Sequence, residues 1–246
     1  MEQSEYDIMF KQENEFWWYR GLHKLVEYTI KKIRKSKTSL SLFDAGCGTG
    51  RMLEIAKKYG TVSGIDFSEN AVAFCRERNL ENVTQGDLNT WEPSPQVYDV
   101  VYSLDVLYHK NIINQNEIID KFAHALKPGG ILILNLPAFQ CLYRNHDRAI
   151  HTARRYVKRD LLTLLNNAGF KIVYNNYRLP PLFLIVLVKR FFEKTDEKIK
   201  KSDLFLKINP VTNSILYCYN MIENCMHMLK IPMPFGTSVF TVAVKK

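Results

Sequence analysis

SLFDAGCGTGRMLE, residues 41–54, places three glycines, Gly46, Gly48 and Gly50, within five positions, directly after an apolar run and directly before a helix-like stretch. In an open parallel sheet, ligands bind beyond the carboxyl ends of the strands. A glycine-rich first turn there lets backbone amides and a helix N-terminus come close to them. The dinucleotide-binding spacing G-x-G-x-x-G would require glycine at position 51, which is Arg51, so the spacing is G-x-G-x-G instead. A tight strand-to-helix turn needing positive φ accounts for the same glycines with no ligand at all, and the loop alone leaves both readings open.

Outward from this turn, strands and helices alternate. Residues 39–45 read as a strand, 51–60 as a helix closed by Gly60, 61–66 as a strand, and 68–79 as a helix opened by Ser68. A short strand and turn follow at 82–87, then a strand at 97–103 and a helix at 116–130 leaving through Lys127-Pro128-Gly129-Gly130. Residues 130–137 form a strand apolar on both faces, 157–170 a helix, 171–179 a strand and 237–246 the final strand. Near-continuous Val, Ile and Leu in these strands predict a doubly wound α/β core whose mostly parallel sheet is covered on both faces.

The 246 residues, 46% hydrophobic, suffice for one core. The plan is an N-terminal helical cap at 1–38, a core at 39–179 completed by 236–246, and an insertion at 180–235. That insertion is too long for a plain connection, so it carries helices of its own, read at 181–193 and 212–230. The cap holds a helix over 14–35, with Leu22, Leu25, Val26 and Ile33 at helical spacing and basic residues in its last turns.

The formal charge of +9 points to an anionic partner without naming one. Five cysteines with no C-x-x-C pair indicate neither a disulfide framework nor a zinc site, so no metal is expected and a reducing cytoplasm is. The acidic, aromatic N-terminus does not read as a signal peptide. The apolar run LPPLFLIVLVKRFF, 179–192, is shorter than the ~20 residues of a bilayer span and could at most lie in an interface.

Acids recur at successive strand ends. Asp66 lies 20 residues after Gly46, where a carboxylate accepts ribose hydroxyls; Asp87 follows the third strand and could accept from an adenine amino group; Asp105 follows the fourth. With these in place the chain resembles the class I S-adenosylmethionine-dependent methyltransferases. The resemblance is carried by Asp44-Ala45-Gly46-Cys47-Gly48-Thr49-Gly50, by Asp66 with Phe67, by Gly86-Asp87-Leu88, by the LKPGG turn at 126–130 and by SLDVLYH at 103–109, where Tyr108 stands in place of the family's usual Glu. It implies a seven-stranded sheet with an antiparallel last strand, and S-adenosylmethionine as cofactor with S-adenosylhomocysteine as product. Asp44, Gly46, Gly48, Gly50 and the Leu104 backbone would hold the methionine end, Asp66 and Phe67 the ribose, and Gly86, Asp87 and Leu88 the adenine. A sulfonium nucleoside needs acids and amides rather than a pyrophosphate cradle.

For the methyl acceptor the sequence offers three places. LYRNHDRAIHTARRYVKRD, 142–160, supplies His146 and His151 as candidate bases and Arg154, Arg155 and Tyr156 as candidate clamps for a phosphate or carboxylate. It is similar to stretches in bacterial members acting on lipid, quinone or polysaccharide substrates. His109 ends SLDVLYH and is a third candidate base. The block Phe16-Trp17-Trp18-Tyr19-Arg20 could close as a lid, Arg20 pairing the donor carboxylate and Trp18 and Tyr19 facing the acceptor.

In the insertion, Ile215, Tyr219, Ile222, Met226 and Leu229 form an apolar stripe, and TDEKIKKSD at 195–203 adds basic charge. The stripe either packs on the sheet or in a homodimer, or forms a mouth for a lipid-like acceptor or an anionic membrane. The expectation is a cytoplasmic methyltransferase, with peripheral membrane contact left open, acting on a small-molecule or lipid-linked acceptor, with oxygen favoured as the methylated atom. A nucleic-acid methyltransferase is disfavoured because SLDVLYH replaces base-flipping signatures after the fourth strand. A non-catalytic scaffold that keeps the cofactor is the rival of another class.

Overall fold

Seven strands, β1 (Leu40–Ala45), β2 (Gly60–Asp66), β3 (Val83–Gln85), β4 (Tyr98–Leu104), β5 (Leu126–Pro137), β6 (Phe170–Arg178) and β7 (Ser238–Lys245), build one sheet in the order β3-β2-β1-β4-β5-β7-β6. The first five pair in parallel, and β7 runs antiparallel to both β5 and β6. The carboxyl ends of β1, β2, β4, β5 and β6 therefore share one edge. This computed structural model describes residues 3–34, 38–192 and 208–246. The basic stretch 195–203 lies outside the described residues.

The described α-helices are α1 (Gln3–Gln12), α2 (Trp17–Arg34), α3 (Arg51–Ala56), α4 (Glu69–Glu77), α5 (Gln115–Ala125), α6 (Asn145–Ala149), α7 (Lys158–Asn167), α8 (Pro180–Phe192) and α9 (Pro210–Met228). The two faces of the sheet carry separate cores. Leu22, Leu25, Val26 and Ile30 of α2 join Leu53 of α3 and Val72 of α4 over Val100, Tyr102 and Ile133. On the other face Ile118, Ile119 and Phe122 of α5 and Leu161 and Leu165 of α7 cover Val101, Leu132 and Leu134. Apolar residues on both strand faces are what this double cover requires, and it is the doubly wound architecture the alternating pattern predicts.

Four local readings change. The cap holds two helices, not one. α1 has no strong apolar periodicity and is too short to be stable alone; it docks through Phe10, stacked on Phe74 of α4 at 4.4 Å. Leu126 to Gly130 belong to the opening of β5 and not to the preceding helix, because the register with β4 shifts between Tyr98↔Leu126 and Val100↔Ile131, a bulge that Gly129 turns at φ +72. A short α6 stands between β5 and α7, where the sequence marks no helix before residue 157. Finally, Ile215, Ile222 and Leu229 of the α9 stripe point outward, while Met226 packs against the core. Ile215 and Ile222 are each 63% exposed and Leu229 74%, whereas Asn220, Glu223, Asn224 and His227 are buried. The reason is hydrogen bonding: Asn220 and Asn224 donate to the Trp17 and Gly21 carbonyls of α2 at 3.2 and 2.9 Å.

Candidate active site

The turn after β1 has Gly46, Gly48 and Gly50 all at positive φ, +89, +52 and +82. At Gly46 a Cβ would also meet Val106, which follows β4, at 2.3 Å, so the two strand ends touch through this residue. The Gly46 and Cys47 amides both donate to the Ile65 carbonyl, fastening the turn to β2. Asp66 ends β2 and finishes the arrangement: Oδ2 accepts from Gly48 N at 2.8 Å, while Oδ1 accepts from Ser68 N at 3.0 Å and from the Tyr6 hydroxyl at 3.4 Å. Burial raises its pKa, opposed by these donors. Oδ2 holds a single donor and keeps acceptor capacity for a ligand hydroxyl. Arg51 is spent on Glu54, so no cation from this position cradles a phosphate. A ribose-bearing, phosphate-free ligand fits these residues.

α1 lies across the turn. Met9 sits where a Cβ on Gly48 would meet it at 2.9 Å, and Glu13 at the end of α1 accepts from the Thr49 hydroxyl at 2.7 Å and pairs with Arg78. The residues that lie against the turn and Asp66 are therefore Tyr6, Met9 and Glu13, not the block at 16–20 expected to close over it. Within the aromatic block, Arg20 turns away and stacks on Tyr217 of α9 at 3.7 Å, so it does not face the donor carboxylate. Trp18 packs against the α2 core. Tyr19 is buried near Asp105 and Glu13, which together with burial push its hydroxyl pKa up.

The remaining acids differ in their surroundings. Asp44 is enclosed at 2% exposure, and burial pushes its pKa well up. Asp87 is committed to its own turn, with Oδ1 accepting from Asn89 N and Nδ2 at 2.9 and 2.7 Å; Gly86 N donates to the Asp66 carbonyl and Leu88 is in the core. Asp105, just past Leu104, is held at φ +56 and accepts from Asn135 Nδ2 at 2.8 Å. Burial pushes its pKa up to about 7.

A cavity of about 410 Å³ opens beside Asp66, lined by Tyr6, Phe67, Ser68, Glu69, His109, Asn111 and His151. The structure thus brings His109 and His151 together, ring centroids 5.7 Å apart, with Phe67 exposed across the cavity. His109 Nδ1 accepts from Asn111 N at 3.2 Å, which leaves the proton of the neutral ring on Nε2. Burial lowers its pKa to about 4, so the ring is neutral near pH 7, and its Nε2 is enclosed without a hydrogen-bond partner. His146, in α6, is not among the lining residues.

Two of the predicted clamps are structural instead. Arg155 forms a two-pronged pair with Asp147 at 2.8 and 3.1 Å and donates to the Ala138 carbonyl, and Tyr156 is wholly buried with its hydroxyl donating to the Leu107 carbonyl. Arg154 is exposed and donates to Gln115. Sequence reasoning missed Tyr6, Met9, Glu13 and Asn111. For α1 no periodic signal existed to find it, and Asn111 contributes only a backbone amide.

Residues 42–130 match the protein family described as Methyltransferase domain. Together with the sheet order and the Asp66-fastened glycine turn, this makes the core similar to methyltransferase domains. Among curated relatives it is similar to a ubiquinone biosynthesis O-methyltransferase of Hydrogenovibrio crunogenus, 30% identical over 56% of this chain and 60% of the relative. It is also similar to a trans-aconitate 2-methyltransferase of Variovorax paradoxus, 34% identical over 38% of this chain and 37% of the relative. The chain thus spans less than two thirds of these relatives' lengths. In fold it matches an S-adenosylmethionine-dependent methyltransferase from Mesorhizobium loti, with TM-score 0.58 and 17% identity over 88% of this chain and 96% of that one.

Proposed function

We propose that the chain transfers the methyl of S-adenosylmethionine to the oxygen of a small-molecule or lipid-linked acceptor. The observation that carries this reading is the junction at Gly46 and Val106, where a carboxylate fixed to the glycine turn, Asp66, and one poised to take a proton, Asp105, stand at the ends of the two strands that flank β1. Asp66 would hold the ribose hydroxyls, Phe67 and the Gly86–Leu88 turn would flank the base, and Gly46, Gly48 and Gly50 would line the methionine end. When bound, the cofactor supplies an electrophilic methyl on a sulfonium. Much of the acceleration then comes from aligning the acceptor's lone pair and excluding water. The α1 lid, through Tyr6, Met9 and Glu13, performs that exclusion.

A hydroxyl acceptor must lose its proton, and a base with a pKa near 7 suits that task. Asp105 is that base in this reading, with His151, on the cavity wall, the alternative proton acceptor for a bulkier acceptor. The name of the Hydrogenovibrio relative favours oxygen over nitrogen. The exposed apolar residues Leu184, Ile185 and Val188 of α8 and Ile215, Ile222 and Leu229 of α9 favour contact with a membrane that delivers a lipid-like acceptor.

The test is calorimetric titration with S-adenosylhomocysteine, followed by transfer of labelled methyl to paired phenolic and amine acceptors. Asp66→Ala is expected to weaken binding of S-adenosylhomocysteine at least tenfold while the fold persists by circular dichroism. Unchanged affinity would refute the ribose role, and labelling of amines alone would refute O-methylation.

A further inference from the structure

Arg178 closes β6 with a side chain that is 0% exposed, yet none of its guanidinium nitrogens donates a hydrogen bond. A buried guanidinium ordinarily spends its five N–H donors on carboxylates and carbonyls, because leaving them unpaired in the interior is costly. Its ion pair is with Glu223 of α9, at 3.8 Å from Nε and beyond hydrogen-bond reach. Glu223 is engaged elsewhere: both of its oxygens accept from Leu179 N at 3.0 Å, and Oε1 lies 3.4 Å from His227 Nε2. The guanidinium is enclosed and ion-paired with Glu223, yet its N–H donors are left without acceptors.

Its position gives that a meaning. β6 runs parallel to β5, so Arg178 ends its strand at the same edge of the sheet as Asp105, and it feels the Asp105 charge. Asn135 stands between them in the sheet, its Nδ2 donating to Asp105 and its Oδ1 without a partner. On α9, Asn220 lies one turn before Glu223 and its Oδ1 is likewise unpartnered. A polar seam thus runs along the sheet edge under α2 and α9, with a fork of donors at one end and a carboxylate at the other.

We infer that Arg178 receives an oxyanion, a carboxylate or a phosphate, carried by the methyl acceptor. The planar fork of a guanidinium matches either group through two parallel hydrogen bonds. An acceptor held this way by one end turns its remaining atoms along the seam toward Asp105. Admission requires α2 and α9 to part, which breaks the hydrogen bonds of Asn220 and Asn224 to two carbonyls of α2. The inference rests on the methyltransferase reading above and names the class of acceptor for it.

The test uses the full chain saturated with S-adenosylhomocysteine and titrated at constant ionic strength with benzoate, phenyl phosphate and neutral benzamide. One or both anions are expected to bind, benzamide at least tenfold more weakly, and the better of the two arms identifies the oxyanion. Arg178→Gln should weaken the anion tenfold or more with affinity for S-adenosylhomocysteine unchanged. Glu223→Gln, which removes the competing carboxylate, should tighten the anion several-fold, a result that a purely structural ion pair would not give. Should Arg178→Gln fail to fold, Arg178→Lys keeps the charge, loses the fork and should fall between. Absence of anion binding, equal binding of benzamide, or full affinity in the Arg178 variant overturns the inference. Loss of S-adenosylhomocysteine binding by the unaltered chain would instead count against the methyltransferase reading.

Discussion

Asp105 is the residue whose environment and task are most tightly linked. A carboxyl ordinarily titrating near 3.8 is pushed up to about 7 by loss of water, against the pull of Asn135 and of the more distant Arg178 and Arg155. As a base it acts when deprotonated, so turnover should rise with pH through about 7 and then level off. Asp105→Asn should abolish that limb and lower turnover by the 10²–10⁴-fold typical of a lost general base; an unchanged pH profile would transfer the role to His151. Stability gives an independent sign. Between the unfolded and folded values the native state binds the extra proton, so this group's contribution is fully present below about 4 and is lost as pH rises through about 7. At pH 8 the Asn variant, which tolerates φ +56, should therefore be the more stable one, by at most about 4 kcal/mol. Urea unfolding at pH 5 and pH 8 checks the difference.

Among the elements, the α2 and α9 pair depends on one missing side chain. Gly21 sits mid-helix, where alanine would ordinarily add about 1 kcal/mol. A Cβ there would meet Asn220 Cγ and Nδ2 at 2.4 Å, and Asn220 is wholly buried with its amide donating to the Trp17 carbonyl. Gly21→Ala should thus destabilise the chain by roughly 1–3 kcal/mol as overpacking outweighs propensity. Gly21→Ala with Asn220→Ala should recover part of that loss in a denaturant titration, and a stabilised single variant would contradict this account. The same pair shows why α9 was legible as a helix and illegible in its orientation. Apolar spacing at Ile215, Ile222 and Leu229 says that a helix exists, and normally says which side is inward. Here the inward side is chosen by amide groups seeking carbonyls on α2, an interaction that depends on a partner 203 residues away. The turn at 46–50 was legible because its strand, glycines and following helix lie within one short stretch. The placement of α1 was not, since that helix docks on α4 through Phe10 and Phe74.

For the molecule as a whole, the doubly wound sheet follows from strand composition, but what the outward faces of α8 and α9 meet is set by features beyond the core. No described helix is long and apolar enough to cross a membrane. Leu184, Ile185, Val188 and Phe192 on α8 and Val211, Ile215, Ile222 and Leu229 on α9 are nevertheless all more than half exposed, at 52–83%. Lys189 and Arg190 lie in the last turn of α8, Lys230 follows α9, and the chain carries +9 overall. Apolar side chains beside basic ones on a cationic protein complement an anionic bilayer surface, where each basic residue contributes about 1 kcal/mol and the attraction weakens with salt. The full chain should therefore cosediment with vesicles containing a quarter phosphatidylserine, bind pure phosphatidylcholine vesicles weakly, and release as salt is raised. Ile222→Glu with Leu229→Glu should lower the partition coefficient at least fivefold, because each change removes apolar surface and adds like charge, while S-adenosylhomocysteine binding stays intact. Equal sedimentation of the double variant would refute the membrane contact. So would a light-scattering mass showing that the unaltered chain is a dimer which the double variant converts to a monomer, since that result would assign these faces to a second copy of the chain.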